Sequence, residues 1–202
     1  MKNLRRLYRR ADGGVSVEFG LLAPLLFLIS IGIVDVGMAL FTWATMEGGL
    51  REASRYGITG NDPTDGTTRL DQIKDIIEKM SGGMIDVDKA TIDVKAYPTF
   101  ADVGKAEAFD DANSNGTHDA GEALNDCNGN GKADADRGRD DDAGTSGEVV
   151  VYTIEYDYEM MTPVLMDLVG EGGKLPLRAT VVVRNEPWNT NQTADDLEPC
   201  EL

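Results

Sequence analysis

The longest apolar segment of the chain lies between residues 19 and 46, and Asp35 is the only charged residue within it. A helix of about 20 apolar residues is long enough to cross a bilayer. The stretch from Phe19 to Phe41 has 23 residues, whereas a cleaved secretory signal has a shorter apolar core and a small-residue cut site. The pattern therefore predicts a transmembrane helix rather than a signal that is removed.

The apolar pattern continues beyond this predicted span at helical spacing. Apolar residues recur every three or four positions, and Glu47 and Arg51 lie four residues apart, which suits a helical ion pair. We therefore predict one long helix over residues 14–57, of which only the first part lies in the membrane. The stripe on its outer part consists of Trp43, Met46, Leu50, Ala53 and Tyr56.

Shorter periodic segments follow and indicate an α+β fold. One segment has helical spacing, and three have the alternation and composition of strands. Together they predict a small antiparallel sheet domain packed on the long helix and built from residues 58–97 and 148–188. A short apolar segment, residues 160–169, is predicted to form a helix or turn. The predicted second helix covers residues 69–80, and the predicted strands cover residues 91–97, 148–158 and 177–185.

Charge divides the chain at the apolar segment. The leader, residues 1–13, has five basic residues and one acid, whereas residues 47–202 have fourteen Lys and Arg against thirty-three Asp and Glu. Positive charge before a span places the N-terminus in the cytoplasm and the following domain outside. An exterior this acidic is repelled by phosphate backbones, which argues against nucleic acid as a partner. No nucleophile–base constellation, phosphate loop or zinc pattern occurs, so an enzyme is not predicted.

Two carboxylates need an explanation at membrane depth. Burying an ionised carboxylate in lipid is costly unless a partner satisfies it. Glu18 lies at the start of the apolar segment and Asp35 lies further inside it. Asp35 could face a partner helix, a water-filled gap or the far headgroups, and our hypothesis is an assembly contact.

Three stretches of the chain resemble one protein family. Residues 13–19 read GGVSVEF, residues 50–57 read LREASRYG, and residues 177–187 read LRATVVVRNEP. These stretches resemble the TadE-like family of minor pilins or pseudopilins, which belong to the tight-adherence (Tad) pilus, a branch of the type IV pili. The resemblance covers about residues 10–60 strongly and about residues 148–188 moderately, and it does not extend to residues 98–147.

The resemblance implies a pilin-like fold and cleavage by a prepilin peptidase between Gly13 and Gly14. Glu18 then becomes the fifth residue of the mature chain, and the new α-amine can be cationic at neutral pH. That amine would pair with Glu18 of a neighbouring subunit; the alternative is that Glu18 extends to the cytoplasmic headgroups. The implied partners are other pilin-like subunits, inner-membrane pilus assembly components and the peptidase. The implied location is the bacterial inner membrane with a periplasmic C-terminal domain, or an extracellular pilus.

The acidic insertion, residues 98–147, contains a complete calcium-loop motif. The template D-x-[DN]-x-[DN]-G-x5-E provides oxygen ligands at positions 1, 3, 5, 7, 9 and 12 and a turn glycine at position 6. Every position is matched, which predicts one bound calcium ion; the alternative is a solvated Asn/Asp/Gly linker. The predicted ligands are Asp111, Asn113, Asn115, Thr117 through its carbonyl, Asp119 and Glu122.

A second copy of the motif begins fifteen residues later and is incomplete. Its twelfth position is Arg137, which cannot coordinate a cation, so Asp136 or an acid between residues 140 and 142 would have to substitute. Only three residues separate the loops, which leaves no room for the paired helices of a calcium sensor. The arrangement resembles the tandem loops of dockerins and thrombospondin type 3 repeats, so a second calcium ion would be structural. Its predicted ligands are Asp126, Asn128, Asn130, Lys132 through its carbonyl, and Asp134.

Cys127 and Cys200 are the two cysteines, and both lie on the predicted exterior side, where disulfides form. A bond between them would tie the tail, residues 189–202, to the second loop; free thiols, or a link from Cys200 to a partner, are the alternatives. The resulting hypothesis is a structural pilus subunit with a calcium-stabilised exterior domain. Its alternative is an unprocessed, membrane-anchored calcium-binding interaction module.

Overall fold

The computed structural model describes residues 14–60, 67–162, 174–188 and 200. The predicted leader with Gly13, most of the apolar segment 160–169, and the tail apart from Cys200 lie outside the described residues. The chain divides into two compact units. The first comprises Met1–Phe41 and Tyr158–Leu175, and the second comprises Thr42–Asp157 and Pro176–Leu202.

The first helix, α1, runs from Gly14 to Ile58 and is 45 residues long. Its most apolar 18-residue window has a mean hydropathy of 2.3, so the helix is long and apolar enough to cross a membrane. At Gly49 this helix is in van der Waals contact with the segment around Ile77. A Cβ at this position would lie 3.4 Å from the Ile77 Cα and the Ile77 carbonyl oxygen.

The second helix, α2, covers Arg69–Met80 and begins with a reciprocal cap. The Thr68 hydroxyl accepts a hydrogen bond from the Asp71 N–H at 3.1 Å, and the Asp71 carboxylate accepts one from the Thr68 N–H at 2.9 Å. Two donors that would otherwise be unsatisfied at the helix start are thereby paired. Ile73 and Ile77 are the buried residues of the helix, as its apolar spacing predicts.

Within the described residues, the sheet has four strands in the order β2-β1-β3-β4. β1 pairs antiparallel with β2 and with β3, and Val94 lies opposite Tyr152 in the β1–β3 ladder. Cross-strand contacts of Glu155 with Arg178 and of Thr153 with Thr180 show that β3 and β4 form an antiparallel hairpin. The strands are β1 (Thr91–Tyr97), β2 (Arg139–Asp140), β3 (Val149–Glu159) and β4 (Lys174–Arg184).

The α+β class with a long apolar helix and a small antiparallel sheet is confirmed, but the sheet has one strand more than predicted. The additional strand, β2, lies inside the insertion and is two residues long. A segment this short has no alternation that a pattern can reveal. The insertion therefore joins the sheet instead of only interrupting it.

The core of the second unit lies where the outer part of α1, the helix α2 and the sheet meet. Gly57 of α1 illustrates how tight this contact is, because a Cβ there would lie 2.1 Å from the Tyr152 hydroxyl oxygen. That hydroxyl is buried and has no hydrogen-bond partner among the residues that the structure describes, and burial raises the pKa of Tyr152 to about 12. The largest fully buried side chains of the unit include Met46, Leu50, Ile73, Ile77, Ile85, Val94, Tyr97, Val149, Val150, Tyr152 and Ile154.

Candidate functional site

The membrane-length part of α1 presents apolar side chains outward. Phe19, Leu25 and Ile33 each expose more than half of their surface. Glu18 is also exposed, and no cation in the described part of the chain lies within ion-pair distance of it. A helix surface of this kind requires lipid or other helices around it.

Asp35 is the charged residue of this apolar part of α1, and it is fully buried. Its two carboxylate oxygens accept hydrogen bonds from the backbone N–H groups of Met161 at 3.2 Å and Thr162 at 3.0 Å. Both residues lie in the segment that directly follows β3. The structure therefore gives Asp35 partners within its own chain, whereas the sequence hypothesis assigned it an assembly contact.

The first acidic loop, residues 111–122, folds around its own side-chain oxygens. The Asp111 carboxylate accepts hydrogen bonds from the N–H groups of Asn115 at 3.0 Å and Gly116 at 2.8 Å. Gly116 has a φ of +77°, a conformation that glycine adopts without strain. The positive φ at position 6 of the loop therefore explains why the motif has glycine there.

Three other predicted ligands of this loop, Asn113, Asn115 and Glu122, form hydrogen bonds with Asp119. Its Oδ2 accepts hydrogen bonds from the side-chain amides of Asn113 at 2.8 Å and Asn115 at 2.7 Å, which lower the pKa of Asp119. The Glu122 carboxylate accepts from the Ala112 N–H at 3.1 Å and from the Asp119 N–H at 2.8 Å. Glu122 thus connects positions 2 and 9 of the loop, and Thr117 lies beside Asn115 through a 2.8 Å hydrogen bond.

The second acidic loop, residues 126–137, repeats this arrangement. The Asp126 carboxylate accepts from the N–H groups of Asn130 at 3.1 Å and Gly131 at 2.7 Å. The amides of Asn128 and Asn130 donate to Asp134 Oδ2 at 2.9 and 2.6 Å, and these bonds lower the pKa of Asp134. The two loops therefore have equivalent bonds at positions 1, 3, 5, 6 and 9.

Three of the four acids predicted to replace the missing twelfth ligand are engaged elsewhere. Asp136 accepts a hydrogen bond from the Tyr97 hydroxyl at 2.9 Å and pairs with Lys95 at 3.3 Å. Asp140 also pairs with Lys95, at 3.0 Å, and Asp142 pairs with an arginine at 2.7 Å. These contacts direct the carboxylates to the sheet rather than to the second loop.

Glu107, which no motif in the sequence marks, makes the hydrogen bonds in the second loop that Glu122 makes in the first. Its Oε1 accepts from the Cys127 N–H at 2.8 Å, and its Oε2 accepts from the Asp134 N–H at 3.1 Å. These donors are positions 2 and 9 of the second loop, the same two positions that Glu122 connects in the first loop. Glu107 is only 4% exposed, and no cation in the described residues lies within ion-pair distance of it.

Backbone pairing brings Glu107 to the second loop. Its own N–H donates to the Asp134 carbonyl at 2.9 Å, and Phe109 forms an isolated bridge with Leu124. Residues 105–109 therefore run alongside both loops, although Glu107 precedes the second loop by nineteen residues. No motif spacing connects Glu107 to the second loop, so the calcium motif alone does not distinguish Glu107 from the other acidic residues nearby.

Arg137, at the twelfth position of the second motif, is buried, and its side chain contacts residues near the start of the insertion. It forms a buried ion pair with Asp102 at 3.1 Å and donates to the Ala106 carbonyl at 2.7 Å. The Cys200 N–H also donates to Asp102, and Cys127 and Cys200 are joined by a disulfide. Burial alone would raise the pKa of Asp102, but hydrogen bonds from Thr99, Cys200 and Arg137 outweigh it and lower that pKa.

The donor set of the loops suits calcium. Carboxylate, amide and carbonyl oxygens are the ligands that Ca²⁺ prefers, and no sulfur or nitrogen ligand is among them. In the part of the chain that the structure describes, no three His, Cys, Asp or Glu side chains form a metal-binding group by themselves. A cation would therefore depend on the asparagine and main-chain oxygens as well as on the carboxylates.

The fold and these sites define a class of protein: an α+β protein with a membrane-anchoring N-terminal helix and a tandem acidic loop. The model of the TadE-like protein family matches residues 13–55, which comprise almost all of α1. The chain thus carries a TadE-like N-terminal region, and the resemblance predicted from the sequence is confirmed over that range. No curated protein and no solved structure matches the chain.

Proposed function

We propose that the protein is a pilin-like structural subunit of a Tad-type pilus assembly or secretion system. The observation that carries this proposal is the TadE-like match over residues 13–55. The match is one continuous stretch that contains the Gly13–Gly14 junction, Glu18 and the apolar part of α1. The partners we propose are other pilin-like subunits and inner-membrane pilus components, with the exterior domain on the periplasmic side.

The proposed processing step is cleavage by a prepilin peptidase between Gly13 and Gly14. It releases the basic leader and creates an α-amine four residues before Glu18. Glu18 is exposed on an apolar helix, flanked by Val17 and Phe19, which are 64% and 65% exposed. A carboxylate in such surroundings needs a cationic partner, and the α-amine of a neighbouring subunit supplies one.

Intact-mass measurement of the purified protein tests the processing step. We expect a chain that begins at Gly14, and a chain that retains Met1 would contradict the proposal and favour a permanently anchored module. The variant Glu18→Ala should be cleaved but fail to enter the assembly. Glu47→Ala is the matched control, because Glu47 pairs with Arg51 on the same helix at 2.6 Å and should not be needed for assembly.

We further propose that the two acidic loops, residues 111–122 and 126–137 (together the double loop), bind two calcium ions. Asp111, Asn113, Asn115, Asp119, Glu122 and the Thr117 carbonyl would hold the first ion. Asp126, Asn128, Asn130, Asp134, the Lys132 carbonyl and Glu107 would hold the second. When bound, calcium supplies positive charge to a segment, residues 107–142, that has eleven acids and three basic residues. The repulsion that would open this segment is thereby reduced.

Calcium is proposed to have a structural role. The Asn113 and Asn115 amides donate to Asp119, so hydrogen bonds within the loop hold three of the proposed ligands close together. An ion present at 100 times its dissociation constant would add about 2.7 kcal/mol to the free energy of unfolding. Thermal unfolding with calcium and with EDTA measures this term, and an identical melting temperature in both would contradict the proposal.

A further inference from the structure

We propose that the double loop binds its two calcium ions cooperatively, because each ion is held between the same two short segments of the chain. This inference rests on the proposed calcium function and adds how the two sites are coupled. The segments are residues 107–111 and 122–126, which we call the two-stranded bridge. The first segment leads into the first loop, and the second segment leads into the second loop.

The two segments of the bridge have related sequences. Residues 107–111 read EAFDD, and residues 122–126 read EALND. They are fifteen positions apart, which is also the spacing between the two loops. Each segment therefore begins with a glutamate and ends with the aspartate at position 1 of a loop.

The two segments pair antiparallel at their central residues. The Asp110 N–H donates to the Ala123 carbonyl at 2.8 Å. The Asn125 N–H donates to the Ala108 carbonyl at 2.9 Å. A shift of fifteen positions converts the donor and the acceptor of one bond into those of the other, so the bridge has an approximate two-fold symmetry.

Antiparallel pairing places each glutamate beside the loop that begins on the opposite segment. Glu107 lies at the end of the bridge where Asp126 begins the second loop, and its carboxylate accepts from two N–H groups of that loop. Glu122 lies at the other end, beside Asp111, and its carboxylate accepts from two N–H groups of the first loop. Each segment therefore carries one proposed ligand of each ion.

Main-chain bonds repeat this symmetry at the two glutamates. The Glu107 N–H donates to the Asp134 carbonyl at 2.9 Å, and the Glu122 N–H donates to the Asp119 carbonyl at 3.1 Å. Asp134 and Asp119 both occupy position 9 of their loops. The position of each glutamate relative to its loop thus depends on the pairing of the bridge.

The coupling follows from the way in which each ion joins the two segments. The first ion joins Asp111 to Glu122, and the second ion joins Asp126 to Glu107. Whichever ion binds first fixes the register of the bridge and so places the two carboxylates of the empty site opposite each other. The second ion then binds to a site that is already ordered, and less conformational entropy is lost.

Repulsion between the ions opposes this effect but is weakened by solvent and salt. Glu107 and Asp111 are four residues apart on one segment, about 13 Å at roughly 3.3 Å per residue. The Debye length is about 8 Å at physiological ionic strength, and Asp119 and Asp126 are exposed to solvent. The acids of the insertion also offset the charge of both ions. Ordering of the bridge therefore has the larger effect, and the cooperativity is positive.

Calcium titration calorimetry of the full-length, detergent-solubilised protein tests the coupling. Glu107→Gln leaves the first loop as the tight site, and Glu122→Gln leaves the second. The coupling factor is the product of the two stepwise association constants of the unaltered protein, divided by the product of these two single-loop constants. We expect a factor of at least about ten, within the range usual for coupled sites.

The possible outcomes separate this inference from the calcium proposal itself. Two bound ions with a coupling factor of one would overturn the inference and leave the calcium proposal intact. No calcium binding by the unaltered protein would refute both.

A second pair of variants controls for damage to the bridge. Asn115→Ala and Asn130→Ala remove the ligands at position 5, which donate to Asp119 and Asp134 within their own loops. They should give the same coupling factor as the glutamate variants. A factor above one with the glutamate variants only would report damage to the bridge rather than coupling between ions, which overturns the inference.

The bridge itself is tested at Asn125, which is not a proposed ligand. Asn125→Pro removes the N–H that donates to the Ala108 carbonyl, whereas Asn125→Ala keeps that N–H and removes the same side chain. The coupling factor, measured as before in each background, should fall to about one in the proline variant and persist in the alanine variant. Equal factors in both would overturn the inference. If Asn125→Pro does not fold, the comparison of the position-5 variants with the glutamate variants decides.

Discussion

Replacing Glu107 by glutamine is the sharpest test of the second loop. Glu107 connects the N–H groups of Cys127 and Asp134, as Glu122 connects positions 2 and 9 of the first loop. Glu107→Gln keeps the size of the side chain and removes its charge. We expect the calcium stoichiometry of the full-length protein to fall from two ions to one within the calcium concentrations that saturate the first loop.

The magnitude follows from the lost carboxylate. Removing a group that only orients a metal ligand costs about 10–100-fold in affinity, so removing a direct ligand should cost at least about 100-fold. A 100-fold change corresponds to about 2.7 kcal/mol. Glu107 also accepts three hydrogen bonds from backbone N–H groups, including one from Asn128 at 3.2 Å. Each bond to a charged acceptor is about 1 kcal/mol stronger than one to a neutral acceptor, so the calcium-free protein is destabilised as well.

Isothermal titration calorimetry of the detergent-solubilised protein measures stoichiometry and affinity directly. Glu122→Gln is the matched variant for the first loop and should also leave one ion bound. Asp136→Asn is the control, because Asp136 is held by Tyr97 and Lys95 and should not affect calcium binding. The melting temperature of each variant is measured with and without calcium. The difference between the two values reports calcium binding, and the value without calcium reports the stability of the fold itself.

The reasoning would be refuted by the opposite pattern. If Glu107→Gln bound two ions with unchanged affinity while Asp136→Asn bound one, Asp136 would be the ligand, as the sequence alone suggested. If all three variants bound calcium like the unaltered protein, the double loop would not be the calcium site.

Gly57→Ala should lower the free energy of unfolding in urea by about 1–3 kcal/mol, because the added Cβ would overlap the Tyr152 hydroxyl. Gly48→Ala is the control: nothing lies within 4 Å of its Cβ, so the variant should stabilise α1 by up to about 1 kcal/mol. Because hydrogen bonds lower the pKa values of Asp119 and Asp134, the calcium-free protein should lose stability as the pH falls below about 4. Replacing both residues by asparagine should make the melting temperature depend less on pH in that range. Reducing the disulfide, which encloses 73 residues, should lower the free energy of unfolding by about 2–4 kcal/mol, and equal stability with and without reductant would contradict this expectation.

Patterns carried by neighbouring residues were sufficient for the helices, for the main strands and for the TadE-like resemblance. The apolar spacing of α1, the alternation in β1 and the glycine at position 6 of each loop reflect local backbone geometry, with periods of 3.6 or 2 residues. The cap of α2 is likewise a local feature, although only the structure displays its two hydrogen bonds. The sequence therefore determined the anchor, the α+β class and eleven of the proposed calcium ligands.

Only the tertiary structure decided how distant carboxylates are used. Asp35 reaches Met161 across 126 positions, Glu107 reaches Asp134 across 27, and Asp102 reaches Arg137 across 35. These partners come together because the residues after β3 contact α1 and because residues 105–109 pair with the loops. A carboxylate in a sequence shows that a charge must be satisfied when it is buried, but which partner satisfies it depends on packing, and packing has no fixed spacing along the chain.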